Sequence, residues 1–280
     1  MISRRRFAAA CLATGGARLL SARRPAGLKI GTMDGVLRMS GNPEAVGAAR
    51  AMGLEGLQIT IGKPDGAGRL LLEDVGLQQR YREESKRHSL ALDATYLDIL
   101  HVNCLKNDKL APDNVRTGIA ITRRLDAKIL MVVFFGKCSL LSRAEMDTVA
   151  GAFRELAHEA QQAGVVIGFE NLLNAEDNAR VMDQVASPAF KIWYDVGNST
   201  NQAKVDAARE IRWLGRDRIC ALHFKDQGYL GEGKVNFPDI LQALSEIRYE
   251  GFANLETSAP SGQVEADLKR NLAYLDQLMR

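Results

Sequence analysis

Three carboxylates and one imidazole, on Glu170, Asp195, Glu256 and His223, each close a short apolar run in the second half of a 280-residue chain. The runs are Val165-Val-Ile-Gly-Phe-Glu170, Phe190-Lys-Ile-Trp-Tyr-Asp195, Ile219-Cys-Ala-Leu-His223 and Phe252-Ala-Asn-Leu-Glu256. If each run is a strand, one donor stands at the carboxyl end of each of four successive strands. Two Glu, one Asp and one His form an oxygen-rich set suited to one Mn²⁺, Mg²⁺, Co²⁺ or Zn²⁺ ion. A single acid at a strand end has an ordinary explanation as a helix cap or turn residue. Four together need another, because converging carboxylates repel one another unless a cation is held among them.

The elements that must position these groups alternate along the chain. Candidate strands are Leu28–Thr32, Gly56–Ile61, Ala91–Leu97, Ile129–Phe135, Val165–Glu170, Lys191–Asp195, Ile219–Phe224 and Phe252–Glu256. Each is a short β-branched or aromatic run, as expected of a parallel strand covered on both faces. Between them the pattern predicts helices over Pro43–Met52, Gly76–His88, Pro112–Leu125, Arg143–Ala163, Ala175–Val185, Ala203–Leu214, Pro238–Ile247 and Gln263–Met279. The fourth is the clearest, with Phe153, Leu156, Ala157 and Ala160 at helical spacing and Gly164 where a helix ends. Eight strand–helix units without a break in composition predict an α/β fold, a single (β/α)₈ TIM barrel over residues 27–280. The active site of such a barrel lies at the carboxyl ends of its strands. A doubly wound open sheet is the alternative, but no Gly-x-Gly-x-x-Gly follows the first strand.

The formal charge of +3 resides in the first residues, where Arg4, Arg5, Arg6, Arg18, Arg23 and Arg24 stand without an acid before position 27. Taking those six from 37 Lys and Arg leaves 31 against 34 acids, a net of −3 that gives no general attraction to nucleic acid. A basic start, a short weakly apolar stretch and small residues predict an export signal over residues 1–26. Ser3-Arg4-Arg5-Arg6-Phe7 resembles the twin-arginine address, implying the twin-arginine export machinery as partner and a periplasmic or secreted location. Cleavage is expected near Ala22 or Ala26. Cys104, Cys138 and Cys220 would remain, and their odd number without close pairing argues against a disulfide framework, with Cys138 read as a packed thiol. No later segment reads as a membrane span.

Gly168-Phe-Glu-Asn-Leu172, Tyr194-Asp-Val-Gly-Asn198, Leu222-His-Phe-Lys-Asp226 and Leu255-Glu256-Thr257 resemble the xylose isomerase-like barrels, the sugar phosphate isomerases and epimerases. Within them, the motifs are similar to those of the ketose 3-epimerases of the tagatose and psicose type. The resemblance implies that Glu170, Asp195, His223 and Glu256 hold one divalent ion, Mn²⁺ first among the candidates. It also implies that Glu170 and Glu256 exchange a proton at the carbon beside a ketose carbonyl, through an enediolate that the ion stabilises. Glu176 matches a substrate-contacting glutamate, with a first-turn helix acid as the equal alternative. Lys225 matches a basic substrate-binding position, although strand alternation is expected to turn it away from the ion. Asp226 is expected to cap or orient rather than ligate.

Two departures from the pattern bear on the substrate: Asn198 stands where the epimerases carry a histidine, and Gln58 where they carry a glutamate. Both are expected at the substrate. His101 follows the third strand on a rim loop and is a further candidate contact. His88 and His158 fall on helices facing solvent, and Trp193 and Phe169 are expected to pack the barrel.

The leading expectation is an exported, metal-dependent sugar isomerase or epimerase acting on a small sugar or keto-sugar. The same ion and base could instead drive a lyase or dehydratase acting on an inosose or 3-keto-glycoside. A non-catalytic sugar-binding barrel is the reading from another class. Endonuclease IV, on the same barrel, needs a histidine-rich trinuclear zinc site and a basic surface, and neither is present. The resemblance leaves a homo-oligomer open.

Overall fold

Strands whose side chains are apolar on both sides can be satisfied only between two packed layers, and this sequence supplies the second layer as helices. The computed structural model describes residues 25–280; the predicted export signal lies almost wholly outside them. Eight parallel strands close into one barrel in chain order. They are β1 (Gly27–Met33), β2 (Gly56–Thr60), β3 (Ala91–Tyr96), β4 (Ile129–Val133), β5 (Val166–Glu170), β6 (Phe190–Asp195), β7 (Ile219–Phe224) and β8 (Glu250–Leu255). Closure is made by β1 against β8, paired from Gly27↔Glu250 to Thr32↔Leu255.

The outer layer comprises α1 (Ala45–Ala51), α2 (Val75–His88), α3 (Ala111–Arg124), α4 (Arg143–Ala163), α5 (Ala175–Val185), a one-turn α6 (Val196–Asn198), α7 (Ala207–Leu214), α8 (Phe237–Glu246) and α9 (Val264–Leu278). Ser142 accepts from Glu145 N to cap α4, and Gly164 ends it at φ 70°. The helix expected from Ala203 starts later, at Ala207. Lys204 at φ 59° leaves the helical region, and Asp206 restarts the helix by accepting from Arg209 N. Between sheet and helices, Phe134, Phe153, Phe169 and Phe190 form an aromatic layer with centroids 4.7–6.1 Å apart. Phe169 and Trp193 are both buried, as expected.

Two irregularities aim side chains. Between Gly56↔Ala91 and Gln58↔Ala94, β3 carries one residue more than β2. Asp93 and Tyr96 therefore both turn inward, while Thr95 reaches Thr122 of α3 at 2.5 Å. Between Ile192↔Ile219 and Trp193↔Ala221, β7 carries the extra residue, and Asp195 then pairs opposite His223.

Deeper in the barrel, Asn254 Nδ2 donates to Asp93 Oδ2 at 2.7 Å. Space for the pair comes from glycine: a Cβ on Gly31 would lie 2.0 Å from Asn254 Oδ1, and one on Gly56 2.7 Å from Asp93 Oδ1.

One expectation is overturned. Cys104 and Cys138 form a disulfide, and only Cys220 is free among the described cysteines. The partners are 34 residues apart in sequence, but each lies in the loop leaving β3 or β4. Adjacent parallel strands place those loops side by side, which sequence distance conceals. No helix among the described residues is long and apolar enough to cross a membrane.

Asp93 Oδ1 and Asn254 Oδ1 are both buried acceptors without a hydrogen-bond partner. A proton on Asp93 converts one of them into a donor. Burial is the main cause that raises its pKa to about 7, although the Asn254 hydrogen bond lowers it. An unfolded aspartate titrates near ~3.9, so the folded barrel retains this proton longer. Its contribution is complete below about pH 4 and is lost as pH rises toward 7, by roughly 4 kcal/mol. Urea unfolding across that range should show the decline in wild type and a flatter profile in Asp93→Asn.

Candidate active site

Glu170 is the last residue of β5, Asp195 the last of β6, and His223 the penultimate residue of β7. Glu256 follows β8 directly, its N–H donating to Phe224 O and extending the pairing of β7 with β8 by one step. The four side chains meet inside the carboxyl rim, with one ligand-type atom from each lying within 4.8 Å of all the others. Glu170, Asp195 and His223 are buried, while a third of the Glu256 side chain is exposed. Exposure at Glu256 alone gives the cluster an open side.

His223 organises the centre. Nδ1 lies 2.9 Å from Glu170 Oε1, 3.3 Å from Glu256 Oε2 and 4.0 Å from Asp195 Oδ2. Nε2, on the far side of the ring, lies 2.9 Å from Gln58 Oε1. Gln58 in turn donates through Nε2 to Met131 Sδ at 3.2 Å, which fixes its carbonyl oxygen toward the histidine. With Nε2–H given to Gln58, Nδ1 can present either a proton or a lone pair to whatever lies among the carboxylates.

Lys225 lies inside this group. Its Nζ is 2.7 Å from Glu256 Oε2 and 2.9 Å from Asp195 Oδ2. The expectation that it faces away is corrected: Lys225 stands two residues beyond His223, and alternation of period two puts both on the same face. Asp195 Oδ1 accepts from Asn198 N at 2.8 Å, capping α6, while Oδ2 is buried and has no partner of hydrogen-bond geometry.

The charges respond to one another. Burial raises the Asp195 carboxyl above its ordinary range; Lys225 opposes this, and Glu256 and Glu170 add to it. Burial also pushes Glu256 upward, but His223 and Lys225 together outweigh it and hold that carboxyl low. For His223, burial favours the neutral ring, and the carboxylates of Glu170 and Glu256 more than reverse it. A divalent cation fits this donor set: three carboxylates and an imidazole converge within 4.8 Å, an oxygen-rich group whose mutual repulsion a cation would relieve.

The remaining candidates separate. Gln58 is fully buried and engaged by His223 and Met131, so it stands behind the histidine, not at a substrate. Asn198 is buried and accepts from Gln202 Nε2 at 2.7 Å, beside Asp195 but outside the four-residue cluster. Glu176 is exposed in the first turn of α5 and lines a surface cleft of about 340 Å³ with Arg209 and Trp213. His101 stands on the rim with its Nε2 2.6 Å from the Tyr96 hydroxyl. Asp226 does orient: its carboxylate accepts from the backbone of Gln227, Gly231, Gly233 and Lys234, folding the glycine-rich loop. Tyr96 is the residue that sequence reasoning passed over. It ends β3, the same strand-end position that singles out the four ligand candidates.

Residues 46–278 match the xylose isomerase-like TIM barrel family. The chain belongs to that family. It is 34% identical over 204 residues to D-psicose 3-epimerase of Enterocloster bolteae, covering 65% of this chain and 66% of that one. It is 26% identical over 201 residues to 2-epi-5-epi-valiolone 7-phosphate 2-epimerase of Actinoplanes sp., covering 71% and 72%. The fold is also that of a D-allulose 3-epimerase from Methylomonas sp., with TM-score 0.71, 19% identity, and coverage of 91% of this chain and 99% of the other. With relatives of this kind, the chain is an isomerase-type enzyme.

Gln58 fixes which imidazole nitrogen faces the carboxylates, so its loss should be felt in metal binding. Gln58→Leu is expected to weaken Mn²⁺ affinity by roughly 10- to 100-fold. Isothermal titration calorimetry reads the affinity, with circular dichroism to verify an unchanged fold.

Proposed function

We propose that this barrel is an exported, metal-dependent sugar epimerase or isomerase that transfers a proton at the carbon beside a ketose carbonyl. The carrying observation is the meeting of Glu170, Asp195, His223 and Glu256 within 4.8 Å at one end of the barrel. Glu170, Asp195, His223 and Glu256 would hold the ion, and the oxygen-rich set suits Mn²⁺. When bound, it supplies electrostatic stabilisation to negative charge developing on a carbonyl oxygen and its neighbouring hydroxyl.

The proton transfers belong to the chain's own residues. Glu170 and Glu256 come from β5 and β8, separated around the rim by β6 and β7, so they flank a substrate lying between them. Glu256, kept ionised by His223 and Lys225, has a free carboxylate with which to accept the proton on one face. Glu170 returns a proton to the other face, and the roles exchange when the opposite epimer binds. Lys225 orients Glu256 and can meet a substrate oxygen. Asn198 and Glu176 stand farther out, as candidate contacts for the rest of the sugar. Both named relatives are epimerases, which supports this reaction class.

Export is supported by the arginine-rich leader and by the Cys104–Cys138 disulfide, a bond that persists in oxidising compartments. One observation favours a second reading, elimination from a keto-sugar. Lys225 Nζ, 2.7 Å from Glu256, is an ammonium well placed to protonate a departing oxygen.

Metal-loaded protein incubated with ketoses and 3-keto-glycosides in D₂O should incorporate deuterium at a single carbon. Glu170→Gln and Glu256→Gln are each expected to slow that exchange by roughly 100-fold or more. Exchange at the wild-type rate in either variant would sink the mechanism. Mass spectrometry of the product separates the readings: a same-mass epimer for the first, loss of water or aglycone for the second.

A further inference from the structure

Half of the rim carries no ligand candidate, yet it has a side-chain constellation of its own. The four clustered groups come from β5 to β8, and across the barrel β3 ends in Tyr96 while β4 leads on to Phe135. The extra residue in β3 turns Tyr96 inward. Phe135 lies four residues beyond Met131, on the same side of the chain, and Met131 already meets Gln58 inside the barrel. His101 ends the 3₁₀ turn Asp98–His101 that leaves β3. Its ring stacks on Phe135 at 6.1 Å and 30°, and its Nε2 meets the Tyr96 hydroxyl at 2.6 Å. Tyr96 also senses the catalytic half: burial first, then the Glu170, Asp98 and Glu256 carboxylates, hold its phenol protonated.

The disulfide sits where these two loops would otherwise be free to part. Cys104 is three residues beyond His101, Cys138 is three beyond Phe135, and both are buried. Each cysteine therefore anchors one of the two stacked rings.

We propose that the Cys104–Cys138 disulfide locks Tyr96, His101 and Phe135 into a hydroxyl-recognition wall facing the carboxylates, so that substrate affinity depends on the redox state of this bond. The proposal rests on the sugar-isomerase reading above. The imidazole–phenol pair offers donor and acceptor atoms to hydroxyls, and the Phe135 ring offers an apolar face to C–H bonds. The ligand class is a polyhydroxylated chain with hydroxyls beyond the reacting carbon. Tyr96, His101 and Phe135 bind; the two cysteines only position them.

The experiment compares the full chain with its disulfide intact and after tris(2-carboxyethyl)phosphine. The phosphine gives two electrons to the S–S bond, while water supplies two protons to the thiols and the oxygen of the phosphine oxide. Diethyl pyrocarbonate labelling, read by mass spectrometry, reports the lock without any sugar. His101 should label several-fold faster after reduction, with His88 and His158 unchanged; an unchanged His101 rate overturns the lock. Kinetics on D-psicose and D-fructose report recognition. Reduction, and the Cys104→Ser/Cys138→Ser variant, should raise KM roughly tenfold with kcat within about twofold. His101→Phe keeps a ring against Phe135 and loses the Tyr96 bond, so it should reproduce the KM effect with the disulfide intact. A fall in kcat at constant KM overturns the recognition role. No turnover of any ketose by the untreated protein sinks the functional reading and the recognition role with it, leaving the labelling to decide the lock.

Discussion

Closing eight parallel strands into a ring puts every carboxyl end on the same rim, and this chain gathers the acids of β5 and β6 there with the one that follows β8. The resulting repulsion is the constraint to which the surrounding structure answers. Two unit charges about 4 Å apart interact by about 4 kcal/mol at an effective dielectric near 20, so three carboxylates gathered this tightly need cationic partners. Lys225 reaches two of them, and His223 reaches all three at distances from 2.9 to 4.0 Å. Asn198 N–H takes the oxygen of Asp195 that faces away from the histidine.

A second layer supports the first. Gln58 holds the back of His223, and one layer down Asp93 and Asn254 pair across the barrel where two neighbouring strands carry glycine. Burial holds the Asp93 proton well above the ordinary aspartate range, which limits the negative charge added beneath the three carboxylates. Stacked in this order, the polar interior changes from weakly charged at depth to strongly ionic at the rim. The opening at Glu256 is then the place where a substrate meets the charge.

Much of this was legible in the chain because the barrel repeats one rule. Apolar runs ending in an acid or histidine mark strand ends, and strand ends mark the site. Glu170, Asp195, His223 and Glu256 come together on that rule alone. What stayed hidden depends on departures from it or on distance across the fold. The additional residues in β3 and β7 decide where Tyr96 points and that His223 pairs opposite Asp195, and no residue type announces them. Gln58 reads as a substrate contact until the barrel closes and sets it behind His223, 165 residues away. The cysteine pair was missed because adjacency of two loops is a property of strand order, and Lys225 because its parity with His223 was misjudged.

The free thiol among the described residues has a consequence for how the protein can be oxidised. Cys220 lies on β7 with its Sγ donating to Ile192 O at 3.3 Å, and burial pushes its pKa up to about 12. Thiol exchange proceeds through the thiolate, and Cys220, half-buried with its thiol held protonated, supplies little of it. Of the three single pairings open to Cys104, Cys138 and Cys220, the fold brings one together, in the adjacent loops after β3 and β4. Oxidation once the loops after β3 and β4 lie side by side therefore favours the native bond, whereas oxidation of the unfolded chain could trap Cys220 in a partnership that prevents the barrel from closing.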